Sequence, residues 1–163
     1  VSDRVTGPIV VMGVSGCGKT TIGEMLAERT GLTYIDGDAL HPQDNIDKMA
    51  EGVPLVDSDR WPWLERVGQE LDADTIIGCS ALKRIYRELI RRKAGDVVFV
   101  YLRGARETLI DRMEHRDRHF MPVDLLDSQL ATLEEPGADE RAVTVDIELS
   151  PDQIIDRVVA ALT

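Results

Sequence analysis

The chain has 163 residues, 43% hydrophobic and 30% charged, with a formal net charge of -11 at pH 7. That length and apolar content suit one core rather than two, and the acidic excess disfavours nucleic acid or an anionic membrane as a partner, because both would repel it. Two cysteines, Cys17 and Cys79, supply neither a disulfide framework nor a four-thiolate zinc site. The longest apolar run, 9–14, is broken by Gly13 and falls far short of the ~20 residues a membrane span needs. Residues 1–4 lack the build of a secretory signal, so a cytoplasmic location is expected.

In chain order, residues 9–12 read as a short, wholly apolar strand, 19–29 as a helix with apolar positions three and four apart, and 33–35 as a second strand. Residues 36–71 are too long for a plain crossover. Strands are then expected over 75–79 and 97–102, each followed by an amphipathic segment, 85–93 and 107–115. Residues 116–141 carry no strand pattern, Pro136-Gly137 marks a turn, and 143–147 reads as a fifth strand. Ser150-Pro151-Asp152 has the form of an N-cap with proline at the first helical position, opening a helix over 153–162. Alternating strands and helices predict an α/β fold with a five-stranded parallel sheet covered on both faces, in a single domain over 1–163. The two irregular segments are expected to serve a substrate. The acidic residues Glu134, Glu135, Asp139 and Glu140 read as a solvated surface, and the basic run 91–93 as cations at a helix C-terminus.

Gly13-Val14-Ser15-Gly16-Cys17-Gly18-Lys19-Thr20 matches G-x-x-x-x-G-K-[ST], after a strand and at the start of a helix as that pattern requires. Its glycines let backbone N–H groups surround a phosphate, the helix start adds a positive dipole end, and Lys19 is expected at the β- and γ-phosphates of ATP. Thr20 offers a hydroxyl to Mg²⁺, a hard cation that prefers oxygen ligands. Cys17 enters through its backbone. A guanine-nucleotide switch would carry Asn-Lys-x-Asp, whereas the only asparagine, Asn45, precedes Ile-Asp-Lys.

Asp36-Gly37-Asp38 puts two carboxylates at the end of the second strand, on the sheet edge where α/β proteins bind ligands. Asp36 is placed to hold a water of the Mg²⁺ shell. Asp38, beyond a glycine expected to give flexibility, is the candidate general base, acting in part by orienting the acceptor hydroxyl. An ordinary polar turn is the plain alternative.

Several further motifs, in order, resemble the bacterial-type gluconate kinases of the P-loop kinase group. They are Asp36-Gly37-Asp38-Ala39-Leu40-His41-Pro42, Asn45-Ile46-Asp47-Lys48-Met49, Gly52-Val53-Pro54-Leu55 and Asp57-Ser58-Asp59-Arg60-Trp61-Pro62-Trp63-Leu64. Cys79-Ser80-Ala81-Leu82-Lys83 with Tyr86-Arg87, Arg116 with His119-Phe120-Met121, and Glu135-Pro136-Gly137-Ala138-Asp139-Glu140 continue the likeness almost end to end. Shikimate kinase, a rival on the loop and the paired aspartates, would show a glycine-rich turn after the third strand, where Cys79 to Lys83 stand here.

The resemblance implies a three-layer P-loop kinase fold akin to nucleoside monophosphate kinases and shikimate kinase, transfer from ATP to gluconate with Mg²⁺, and a homodimer. It also implies a substrate-binding insertion over about 37–72 and a lid over about 112–126. A polyol with one carboxylate needs a cation and several hydrogen-bonding groups. Arg60, Lys83 and Arg87 are the cations in the resembling motifs, and His41 and Ser80 are candidates for the hydroxyls. Each has a plain alternative: His41 as a helix cap, Arg60 as a surface ion pair, Lys83 and Arg87 as a solvated stripe. Trp61 and Trp63 read as core. Arg112 and Arg116 are the lid arginines by the family's spacing, Arg112 towards ATP and Arg116 towards the transferring phosphoryl group.

Overall fold

The computed structural model describes residues 5–114 and 123–163. Five strands, β1 (Ile9–Met12), β2 (Thr33–Asp36), β3 (Thr75–Gly78), β4 (Val98–Arg103) and β5 (Ala142–Asp146), pair in parallel in the order β2-β3-β1-β4-β5. The chain runs outward from β1 to one side, then crosses to the other. The loop leaving β1 therefore lies at the point where strand order reverses, the usual ligand crevice of such sheets.

Strand pleating sorts the core into two layers. Ile9, Val11, Ile76, Val100 and Leu102 face α1 (Lys19–Thr30) and α7 (Pro151–Leu162), packing with Ile22, Leu26, Ile155 and Val158. Val10, Met12, Ile77, Phe99 and Tyr101 face α3 (Asp57–Glu70) and α4 (Arg84–Ala94), packing with Leu64, Val67, Leu89 and Ile90. All four β1 side chains are completely buried. At roughly 1.5–3 kcal/mol each, their burial is comparable with the net stability of a whole domain, so the base of the phosphate loop is anchored.

The five strands and four expected helices stand where the periodicity places them, α5 (Arg106–Glu114) among them. Ser150 caps α7 as expected: its hydroxyl accepts from the Gln153 N–H at 3.2 Å and its own N–H donates to Gln153 Oε1 at 2.9 Å. Two expectations change. Full burial holds for β1 and β3 and nearly all of β4, but β2 and β5 are edge strands and remain largely accessible. The irregular segments are themselves helical. A 3-10 turn (Gly37–Leu40), α2 (Gln43–Ala50) and α3 fill the first, and α6 (Val123–Thr132) lies in the second. Helix α3 was hidden by Pro62, which lacks the N–H that would bond to the carbonyl four residues back. Buried Trp63, Leu64 and Val67 hold the helix to α4 and the sheet despite it.

Candidate active site

The phosphate loop and the strand-end carboxylates meet at the C-terminal edge of the sheet. Gly16 (φ +84°) and Gly18 (φ +94°) take left-handed backbone that side chains disfavour. At Gly13 a Cβ would stand 2.7 Å from Cys17 Sγ. Helix α1 begins at Lys19 without a side-chain cap, so its first N–H groups and dipole face the loop. Lys19 Nζ donates to the carbonyls of Gly13 at 2.9 Å and Val14 at 3.2 Å, folded over the loop it serves. Cys17 and Cys79 are buried; burial pushes the Cys79 thiol up to about 12, leaving it inert.

Beside the loop a cleft of about 300 Å³ is lined by Gly16, Gly18, Thr21, Arg112, Leu149 and Ile154. Its apolar wall and open mouth suit the base and sugar of a nucleotide whose phosphates lie in the loop. Arg112 Nη2 donates to the Ile147 carbonyl at 2.6 Å, which fixes its guanidinium at the cleft wall. Arg116 and most of the expected lid lie outside the described residues.

Asp36 Oδ1 accepts from the Asp38 N–H at 3.0 Å and starts the 3-10 turn. The glycine between them is required by space and not by flexibility: a Cβ on Gly37 would stand 2.3 Å from the Gly78 carbonyl oxygen. The Asp38 carboxylate is accessible, but the surrounding walls withhold bulk solvent and raise its pKa. The charge of Asp36 adds to this and that of Lys19 opposes it. Thr20 and Asp36 are hard oxygen donors beside the loop. Among the described residues no three His, Cys, Asp or Glu side chains form a metal cage. That donor set fits Mg²⁺, which takes few protein ligands and binds with phosphate oxygens and water.

The second half of the site rests on α2, α3 and the start of α4. Asn45 donates to the Asp59 carbonyl at 2.9 Å, and Lys48 Nζ pairs with Asp59 at 2.8 Å, tying α2 to α3. The Asn45 amide lies 3.1 Å from His41 Nδ1, and the His41 ring stacks on Trp63 with centroids 4.0 Å apart. Trp63 Nε1 donates to the Gly37 carbonyl at 2.8 Å. His41 is thus not the cap of the following helix, whose N-cap is Pro42, but a buried, neutral ring, with Nδ1 as acceptor and Nε2 carrying the proton. Burial, with Arg60 nearby, lowers its pKa from 6.5 to about 4.

This sets a pH dependence. The unfolded chain takes up a proton at His41 near pH 6.5 but the folded protein only near pH 4. Stability is therefore lost as pH falls through that window, by on the order of 3 kcal/mol in all. In urea titrations, His41→Gln is expected to flatten the slope between pH 6.5 and 5.5, a range above the ordinary pKa of 4.5 for Glu140, which stays largely ionised there in either state.

Arg60 and Lys83 converge on Asp57 and Tyr86. The Tyr86 hydroxyl donates to Asp57 Oδ1 at 2.5 Å, Lys83 Nζ lies 3.4 Å and Arg60 Nη1 3.8 Å from the same oxygen, and Arg60 Nη1 donates to the Tyr86 hydroxyl at 3.2 Å. Both cations also lie over the Tyr86 ring, each 5.6 Å from its centroid. The Tyr86 bond first, then Lys83 and Arg60, hold the Asp57 carboxyl below the usual range. Ser80 is half-buried, and its carbonyl accepts from the Gly13 N–H at 3.3 Å, which joins this half of the site to the phosphate loop.

Arg87 does not belong to this group. It is completely buried, its guanidinium spent on Glu140 and the Ala81 carbonyl, so the expected contact with substrate is corrected. Of the acidic residues read as a solvated surface, Glu134, Glu135 and Asp139 are exposed as expected, though each has a partner, and Glu140 alone is buried. Glu134 accepts from the Arg84 N–H, Asp139 pairs with Arg84, Glu140 with Arg87 and Arg91, and Glu135 with Tyr101 and Arg103. Partners so distant in sequence leave no periodic trace. Sequence reading also missed Asp57 as the anion between the cations, and Gln129 of α6, whose Oε1 accepts from the Ser15 N–H at 2.7 Å. The three-residue spacing of Lys83, the N-cap of α4, and Tyr86 in its first turn carried a signal; Gln129 had none.

A phosphate loop at the switch point of this sheet, with Asp38 within the field of Lys19, defines a P-loop small-molecule kinase. Residues 9–122 match the family model described as AAA domain. A gluconokinase from Gluconobacter oxydans is 45% identical over 157 residues, covering 93% of this chain and 88% of the relative. The crystal structure of a gluconokinase from Sinorhizobium meliloti 1021 superposes with a TM-score of 0.90 at 49% identity, covering 98% of this chain and 93% of that one. Shikimate kinase from Bacteroides thetaiotaomicron, at 14% identity and a TM-score of 0.69 over 96% of this chain and 98% of that one, shares the fold. The chain belongs to the gluconokinase family. No helix among the described residues is long and apolar enough to cross a membrane.

Proposed function

We propose that this protein transfers the γ-phosphoryl group of ATP to a hydroxyl of gluconate, giving ADP and 6-phosphogluconate. The observation that carries the reading is the convergence of Arg60 and Lys83 on one carboxylate, Asp57, in a pocket that Ser80 joins to the phosphate loop. Two cations around one anion match a ligand with a single carboxylate, which a nucleoside monophosphate or a neutral sugar lacks.

In this reading the loop of Gly13, Val14, Ser15, Gly16, Cys17 and Gly18 wraps the phosphates, with the Gly13 and Ser15 N–H groups held by Ser80 and Gln129 in the present arrangement, Lys19 neutralises charge at the transferring group, and Arg112 bounds the nucleotide. Arg60 and Lys83 take the carboxylate, and His41 and Ser80 bind hydroxyls. Asp38 orients the acceptor hydroxyl and accepts its proton as the new P–O bond forms and the bond to ADP breaks. Thr20, and Asp36 through water, would hold Mg²⁺, which when bound neutralises phosphate charge. Residues 37–72 supply the acceptor side, and residues 112–126, with Arg116, act as a lid that excludes water and brings guanidinium charge to the phosphoryl group. A cytoplasmic homodimer without nucleic-acid or membrane partners completes the proposal, in keeping with the acidic charge and the family likeness.

A coupled ADP-release assay with Mg-ATP against gluconate, other aldonic acids, glucose, shikimate and nucleoside monophosphates tests it. Turnover with gluconate far above the rest is expected. ATP binding without turnover of any acceptor would end the kinase assignment. Arg60→Ala is expected to raise KM for gluconate about 10- to 100-fold, the loss of a charge-assisted pair, with KM for ATP nearly unchanged. An equal rise in both would place Arg60 in closure rather than in acid binding.

A further inference from the structure

Between β3 and α4 the four successive carbonyls of residues 80–83 are all held. The Ser80 carbonyl accepts from the Gly13 N–H at 3.3 Å, that of Leu82 from the Glu134 N–H at 2.7 Å, and that of Lys83 from the Tyr86 and Arg87 N–H groups at 3.0 and 3.2 Å. The Ala81 carbonyl accepts from Arg87 Nη1 at 2.8 Å. Among the described residues, Ala81 is the one non-glycine residue with positive φ, at +46°, and it is 1% exposed. Left-handed backbone is disfavoured for alanine and persists only where surroundings impose it.

Against the Ala81 carbonyl stands a buried ion pair. Arg87 Nε and Nη2 donate to the two Glu140 oxygens at 2.8 and 3.1 Å, and the two side chains are 0% and 2% accessible. Glu140 also accepts from Arg91 at 2.9 Å and from the Gly137 N–H at 2.9 Å, so it cannot swing away. Burial opposes its ionisation, but the bonds from Arg87, Gly137 and Arg91 together outweigh it and hold its pKa at about 2. An apolar pair of like volume would serve stability as well or better, since desolvating two charges is costly. What an apolar pair cannot do is hold the Ala81 carbonyl.

We propose that the buried Arg87–Glu140 pair is a positioning device for the acceptor site, clamping Ala81 in its left-handed conformation so that Ser80 stays against the phosphate loop while Lys83 reaches Asp57 and Tyr86. The proposal rests on the reading of Ser80 and Lys83 as acceptor contacts. The guanidinium suits the task because its planar fork grips both carboxylate oxygens and still presents a third N–H to the carbonyl. Arg87 thus acts on the acceptor site through the Ala81 carbonyl, itself set by Glu140 from a loop 53 residues away.

The test measures KM for gluconate, KM for ATP and kcat in the full chain, with hydrogen exchange of the peptide containing residues 79–84 as a readout independent of activity. Arg87→Met is expected to raise KM for gluconate roughly 10- to 100-fold, as a misplacement of about 1 Å does, with KM for ATP within about twofold and faster exchange in that peptide. Arg87→Lys, which keeps a cation for Glu140 and preserves the fold if Arg87→Met does not, should show the same split more weakly. Adding Ala81→Gly, which admits positive φ without strain, should recover part of the lost affinity in either background. Unchanged gluconate KM in folded Arg87→Lys and Arg87→Met would overturn the proposal. So would parallel rises in both KM values with no recovery from Ala81→Gly, the pattern of a merely structural role. Failure of the gluconate assignment itself shows in the wild type, before any variant is compared.

Discussion

Lys19→Ala is expected to lower kcat by about 10²- to 10³-fold or more while the protein stays folded, because its ammonium is the loop's own cation for charge developing at the transferring phosphoryl group. Its contacts support the second half of that expectation. Lys19 Nζ donates to the Gly13 and Val14 carbonyls, main-chain contacts of the loop that contribute no apolar packing to the core. Incoming phosphates offer shorter, charge-assisted bonds and should draw the ammonium off those carbonyls. Steady-state turnover with Mg-ATP, run beside thermal unfolding, checks both halves. Wild-type kcat in the variant would remove Lys19 from the transfer step; loss of cooperative unfolding would show that the loop depends on it for its shape.

Asp38→Asn should cost about 10²- to 10⁴-fold in kcat, the range for a positioned general base, and leave the KM for ATP close to its original value. The pH profile distinguishes proton acceptance from mere orientation. Cleft burial and Asp36 raise the Asp38 pKa against the pull of Lys19, so the protonated, inactive form persists to higher pH than for an ordinary aspartate. Activity of the wild type should fall as pH drops through that raised pKa. In Asp38→Asn the corresponding limb should vanish. A variant with reduced kcat but the same acidic limb would show that another carboxylate titrates, with Asp36 the first to examine.

The nucleotide half of the site is legible in the sequence because it is local. Eight consecutive residues, 13–20, form the phosphate loop, and their glycines are demanded by backbone angles and close contacts that arise within a few residues. The β1 strand before it and the α1 helix after it announce themselves by apolar run and helical period. Asp36 and Asp38 follow from position, since a carboxylate at the C-terminal end of a parallel strand faces the ligand edge. The acceptor half is less legible. Arg60, His41 and Lys83 were read from motif likeness, and the geometry that joins them depends on Asp57, Tyr86, Asn45 and Trp63, supplied by two helices and a turn. Helix α3 itself was obscured by Pro62, and its Trp63 is buried against Gly37 where no local rule predicts it.

Sequence alone determined the α/β class, the five strands, the four covering helices, the phosphate loop and the strand-end carboxylates. Each of these is set by short-range physics, namely apolar periodicity, the steric freedom of glycine and capping. Tertiary structure decided the strand order, the edge positions of β2 and β5, the neutral state of buried His41 and the withdrawal of Arg87 from the substrate. The case of Arg87 shows why. On the helix surface it is one cation among several, one turn from Lys83. Only when β5 adds beside β4 does the loop before it bring Glu140 over α4, where the carboxylate and the desolvated site together leave Arg87 no charge to offer a ligand. A side chain's type is written in the sequence, but its electrostatic partner is chosen by packing between segments distant along the chain.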